Sequence, residues 1–109
     1  MTSLPQALPS EIRQWTARLN DQGWCVIPSL LPATEVDALD RDLEQDFEET
    51  PFCKGGFYGH RTKRFGRLLA RSRHAEALVR HPLVLGIARA ILEPWCDTIQ
   101  LNLTQALAL

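Results

Sequence analysis

The chain has 109 residues, 45% hydrophobic and 23% charged, with a formal net charge of −1. That balance is typical of a soluble globular protein and excludes a disordered or low-complexity chain. No apolar run approaches the ~18 residues of a membrane helix, and residues 1–10 hold no Lys or Arg, so neither a membrane span nor a secretory signal is expected. A cytoplasmic setting follows as the default. The length suits one small domain or a piece of a larger one.

The charge is unevenly placed. Residues 1–50 carry ten acids and three bases (3 − 10 = −7), and residues 51–109 carry nine bases and three acids (9 − 3 = +6). Two halves that fold against each other with opposite fields would explain the split, and so would a polyanion-binding second half. The three cysteines, Cys25, Cys53 and Cys96, form no C-x-x-C. Reduced thiols are expected, not a zinc site or a disulfide framework.

In chain order, residues 1–9 contain two prolines and little pattern, and read as a frayed lead-in. Ser10 is a good N-cap, and Ile12, Trp15 and Leu19 recur at helical spacing up to the stop at Gly23. Trp24, Cys25, Val26 and Ile27 give a short strand signal closed by Pro28. Pro32 and Thr34 open a second helix, with Asp37 three residues after Thr34 in the manner of a capping box. Val36, Leu39, Leu43 and Phe47 fall on one stripe of that helix, and Asp37, Asp40, Asp42, Glu44, Asp46, Glu48 and Glu49 on the opposite, solvated side. The helix should end near Thr50, because Pro51 disfavours αR in the residue before it.

Residues 51–61 form a loop in which Gly55, Gly56 and Gly59 alternate with the aromatic anchors Phe52, Phe57 and Tyr58. Such loops often line pockets. Residues 63–70 are expected as a short helix weakened by Gly66, and residues 73–80 as another. Pro82 suits the first position of a further helix, apolar on most sides through Leu83, Leu85, Ile87, Ala88, Ile91 and Leu92. The stretch from Asp97 to Leu109 alternates Ile99, Leu101 and Leu103 with Gln100, Asn102 and Thr104, the period of a β-strand with one polar face. No downstream residues exist in this sequence to pair with it, so it is expected to point toward a sheet that is mostly missing, and sheet-edge pairing through 97–109 is expected.

Candidate chemistry is sparse. His60 has no carboxylate two residues on, and His81, ahead of Pro82, suits a helix boundary. His74, Ala75 and Glu76 spell the H-x-E of a non-haem iron site, but positions i and i+2 of a helix point apart, so no metal is expected there. Arg61, Lys63, Arg64, Arg67, Arg71 and Arg73 follow one another with no acid between. They either pair with the acidic second helix or hold an anionic group, with Arg61 and Arg64 the candidate anion contacts. No recognition motif is spelled and the whole chain is not basic, so no nucleic-acid partner is expected. Gln100, Asn102 and Thr104 either face solvent from an edge strand or line a polar pocket.

The order of G-W-C-V-I-P at 23–28, L-P-A-T-E-V-D-A-L at 31–39, R-F-G-R-L-L-A-R-S at 64–72, H-P-L-V-L at 81–85 and I-Q-L-N-L-T-Q at 99–105 resembles the N-terminal part of the phytanoyl-CoA dioxygenase family. The resemblance covers nearly the whole chain, 12–109. It implies an α+β fold: the N-terminal helices and first strands of a double-stranded β-helix, or jelly-roll. It also implies an oxygenase that uses Fe(II) and 2-oxoglutarate to hydroxylate a small-molecule substrate. In that family an H-x-D pair and a distant His hold the iron, and a late Arg meets 2-oxoglutarate. None of these maps onto a residue here. The resemblance therefore implies a single incomplete domain spanning 1–109, truncated before its metal-binding core and inactive alone. Gln100 and Asn102 sit where relatives turn polar side chains toward substrate or cosubstrate, and Thr104 follows by alternation. The alternative is a non-catalytic helical binding or interaction module.

Overall fold

A computed structural model describes residues 7–109. Among them are five α-helices, a short 3₁₀ turn and two strands, a mixture of helix and a small antiparallel sheet. The chain divides into two units. One holds the described part of Met1–Leu30 together with Ala77–Gln100, and the other holds Leu31–Glu76 together with Leu101–Leu109.

In the first unit, α1 spans Pro9–Gln22. The helix begins one residue before the expected cap, because Pro9 fits the first helical turn and Leu8 takes the extended N-cap conformation. Leu8 N–H donates to Glu11 Oε1 at 3.4 Å. Residues 1–6 of the expected lead-in lie outside the described residues. Gly23 closes the helix in the left-handed region (φ +79°), its N–H donating to Leu19 O at 2.8 Å. Residues 24–27 join no ladder, so the expected strand is absent here. Its alternation survives: Cys25 and Ile27 are half-buried, whereas Trp24 and Val26 are exposed. A strand needs a hydrogen-bonded neighbour, and none lies beside this segment among the described residues.

The fifth helix, α5, spans Pro82–Leu92, lies in the same unit and packs on α1. His81 is its N-cap, as expected of a boundary residue, and its Nδ1 accepts from Leu83 N–H at 3.2 Å. Leu83 and Ile87 are buried, while Leu92 is half exposed. At Gly86 the two helices pass at close range, since a Cβ placed there would stand 2.5 Å from Ile12 Cδ1 and 2.8 Å from its Cγ1. The 3₁₀ turn Glu93–Trp95 follows directly, and Trp95 is exposed.

The second unit is built on α2, Ala33–Glu49. Pro32 is its N-cap and makes no side-chain cap, so the expected Thr34–Asp37 box does not form. Pro32 O instead accepts from Glu35 N–H and Val36 N–H at 3.0 and 3.2 Å. The helix stops at Thr50, as the following proline requires. Its apolar stripe is graded: Leu43 is buried, Leu39 and Phe47 are half-buried and Val36 is exposed.

Against Phe47 lies β1, Lys63–Gly66, where a helix is expected from sequence. Phe65 is the buried residue of β1, its ring edge-on to Phe47 at 4.7 Å between centroids. Burial of that ring and pairing with a distant strand outweigh the helix propensities of Lys, Arg and Leu. Helical structure begins only after Arg67, as α3, Leu68–Arg71, and resumes as α4, Arg73–Val79.

The partner of β1 is β2, Gln105–Ala108, antiparallel with Arg64 opposite Leu107 and Gly66 opposite Gln105. The strand expected over 97–109 is thus confined to its apolar end, and its neighbour lies upstream in the chain. Residues 99–104, which carry the clearest alternation, form no ladder, because β1 offers only four residues.

Candidate functional site

Six side chains tie α2 to the segment 71–74 in the second unit. Glu35, Asp42 and Asp46 are spaced by seven and four residues, which puts them on one line of α2 beside the apolar stripe. Asp46 Oδ1 pairs with Arg71 Nη1 at 2.9 Å. Asp42 Oδ2 accepts from Ser72 Oγ–H at 2.6 Å. Glu35 Oε2 lies 2.8 Å from His74 Nδ1. The chain runs antiparallel to the helix along this line. Three members of the acidic helix are therefore partners of the segment that follows; Asp42 remains exposed, as expected of a solvated face, while Asp46 is half-buried.

Ser72 is the buried polar residue at the centre, 4% exposed. It also begins α4, its Oγ accepting from His74 N–H at 3.1 Å. Serine immediately before a helix is an N-cap signal that sequence reading could have used. Ser72→Ala removes both bonds and is expected to cost about 1–2 kcal/mol of stability. A double-mutant cycle with Asp42→Ala in urea should show coupling between the two residues, whereas additive effects would deny the bond any role.

The basic run divides by partner. Lys63 Nζ donates to Phe47 O at 3.0 Å and lies 5.1 Å from the centre of the Phe52 ring. Arg71 Nε donates to Gly66 O at 2.7 Å, and its guanidinium also covers the Phe65 ring. Arg64 is stacked on Tyr58, 4.2 Å from the ring centre. Arg67 is exposed and sits in the left-handed region (φ +59°, ψ +44°), a conformation few non-glycine residues adopt. Pairing with the acidic helix is thus confirmed for Arg71 and does not extend to Arg61 or Arg64.

Of the polar residues expected on the final strand, Thr104 has a structural partner. Its Oγ1 accepts from Leu68 N–H at 3.0 Å, satisfying a free donor at the start of α3. A Cβ at Gly66 would stand 3.2 Å from Thr104 O, so the chain passes this point at close range. Asn102 is exposed in the second unit, and Gln100 is exposed in the first.

The loop at 53–62 is closed at its neck, where Cys53 N–H donates to Thr62 O at 2.7 Å. Its aromatic residues are exposed, not the anchors that the sequence leads one to expect. Phe57 is 91% exposed and meets Tyr58 edge-on at 4.9 Å, and Phe52 and Tyr58 are also exposed. Gly55 and Gly59 both take positive φ, which lets the loop reverse without strain.

Among the described residues, no group of three His, Cys, Asp or Glu gathers closely enough to hold a metal ion. His74, the candidate of the H-x-E spelling, is on a helix and engaged with Glu35. The residues here do not fit an iron centre, and no iron-dependent step is assigned to them. No helix among the described residues is long and apolar enough to cross a membrane. Comparison with family models, with curated proteins and with solved structures returns no match.

Proposed function

We propose that residues 12–109 belong to an iron(II)- and 2-oxoglutarate-dependent oxygenase of the phytanoyl-CoA dioxygenase type, one that hydroxylates a small organic substrate. The observation that carries this is the ordered run of features from G-W-C-V-I-P at 23–28 to I-Q-L-N-L-T-Q at 99–105. The antiparallel pairing of β1 with β2, with α2 packed on Phe65, supports it. A jelly-roll grows by adding antiparallel strands to such an edge, with helices covering one face. Bound iron would supply oxygen activation from a two-His-one-carboxylate set contributed by residues other than these.

In this proposal the residues described here supply the helical cover and a sheet edge. Gln100 and Asn102 are offered to substrate or cosubstrate, and Thr104 holds the turn at Arg67. The test is the reading frame that follows Leu109. An H-x-D in the succeeding codons, with a later His and Arg, is the expected finding. A stop codon there, or a long continuation lacking H-x-D, contradicts the proposal.

A second reading, a non-catalytic interaction module, is favoured by the exposed aromatic loop at 53–62. A monodisperse monomer that melts cooperatively and recruits no partner counts against it.

A further inference from the structure

The segment 51–75 contains no acid and seven bases: Lys54, Arg61, Lys63, Arg64, Arg67, Arg71 and Arg73. Lys63 and Arg71 are taken up by Phe47 O and Asp46. Arg64 is different. It is half-buried, yet among the described residues its guanidinium has no carboxylate partner and no hydrogen bond, only the face of Tyr58. Partial burial of a cation without a counter-ion is costly, and cation–π stacking offsets only part of that cost. Stacking fixes the plane of the guanidinium and leaves its edge, with a fork of N–H donors, open to an oxyanion.

The surroundings narrow the ligand. The hydrogen bond between Cys53 and Thr62 puts Lys54 and Arg61 on the two arms of one neck, and neither side chain has a partner among the described residues. Lys54 and Arg61 add uncompensated positive charge to the loop that carries Tyr58, which favours a dianion over a single carboxylate, and a phosphate group carries roughly −1.5 to −2 charges at neutral pH. Phe57, 91% exposed, is edge-on to the Tyr58 ring on which Arg64 stacks, and presents a flat apolar face to solvent. A ring free in solvent on a loop with uncompensated cations suits a ligand that is itself part ring and part phosphate.

We propose that Arg64, Arg61 and the loop at 53–62 form a binding site for an organic phosphate of the nucleotide class, with the phosphate on the two guanidinium groups and the planar ring on Phe57. The site stands on this geometry alone and does not depend on the oxygenase reading.

The experiment is a titration of the isotope-labelled 109-residue chain with adenosine monophosphate at low salt, following backbone amide and arginine Nε–H resonances. Saturable shifts confined to 53–64, including Arg64 Nε–H, are expected. Affinity should fall about tenfold in Arg64→Gln, equivalent to about 1.4 kcal/mol. It should fall less in Arg64→Lys, which keeps the charge and loses the fork. Phe57→Ser should weaken adenosine monophosphate and leave inorganic phosphate unchanged. Far-UV circular dichroism checks each variant, and if Arg64→Gln unfolds, Arg64→Lys and the exposed Phe57→Ser carry the test. No saturable shift, shifts centred elsewhere, or full affinity in the folded Arg64 variants overturns the site. Inorganic phosphate binding as tightly as adenosine monophosphate overturns the ring subsite, and succinate doing so overturns the preference for phosphate. A single-stranded oligonucleotide that binds far more tightly per nucleotide reassigns the surface to nucleic acid.

Discussion

Phe65→Ala should be the most destabilising single change in the second unit, at about 3–5 kcal/mol. Phe65 is buried in a strand of four residues, and its ring is contacted from two sides, by Phe47 and by the Arg71 guanidinium. Truncation leaves a cavity between β1 and α2 and removes what holds the strand against the helix. It also frees Arg71, whose Nε bond to Gly66 O and pair with Asp46 depend on that placement. A domain of this size has about 5–15 kcal/mol of stability in total, so the loss consumes a large share. Phe57→Ala, at a ring 91% exposed, is the control and should change stability by no more than about 0.5 kcal/mol. Urea unfolding followed by far-UV circular dichroism measures both. Equal effects from the two substitutions would contradict the packing of Phe65 on α2.

The second large effect concerns Gly86 and is expected to change sign with its neighbour. In a helix interior, Gly→Ala ordinarily stabilises by about 1 kcal/mol. Here the added Cβ would collide with Ile12 Cδ1 and Cγ1, and overpacking of this kind costs about 1–3 kcal/mol. Since Ile12 is β-branched and carries its Cγ1 on a stiff χ1, it has little room to withdraw. Gly86→Ala should therefore be net destabilising in the natural sequence. In an Ile12→Ala background the obstacle is gone, and the same substitution should stabilise by about 1 kcal/mol. All three tryptophans, Trp15, Trp24 and Trp95, lie in the first unit, so their fluorescence reports this pair directly. A Gly86→Ala effect of the same sign in both backgrounds would show that α1 and α5 do not meet at this point.

The helices were legible because their information is local. Gly23, Pro51 and the His81–Pro82 pair mark ends that the backbone obeys, and the spacing of Leu39, Leu43 and Phe47 identifies the inward face of α2. Strand β1 was not legible. The run K-R-F-G-R-L-L-A from residue 63 is rich in helix formers, and what makes its start extended is the ring of Phe47 and a partner strand around residue 107. Neither can be seen in a local window. The final stretch shows the reverse error. Alternation at 99–104 is plain in the sequence, but a ladder forms only where a neighbour lies opposite, at Gln105–Ala108.

The candidate sites divide in the same way. The basic run and the aromatic loop could be read as composition. That Arg64 stacks on Tyr58 while Arg71 pairs with Asp46 depends on β-strand alternation and helix phase in segments far apart in sequence. Thr104 was legible as a polar residue of the last segment. Its bond to Leu68 N–H depends on the left-handed turn at Arg67, which no arginine advertises.

The oxygenase proposal has one direct measurement: succinate formed from 2-oxoglutarate with Fe(II) present, using protein expressed from the reading frame continued beyond Leu109. Iron-dependent succinate release by that longer protein, and none by the 109-residue chain, is the expected result. Succinate release by the 109-residue chain itself, or none by the longer protein, would contradict it.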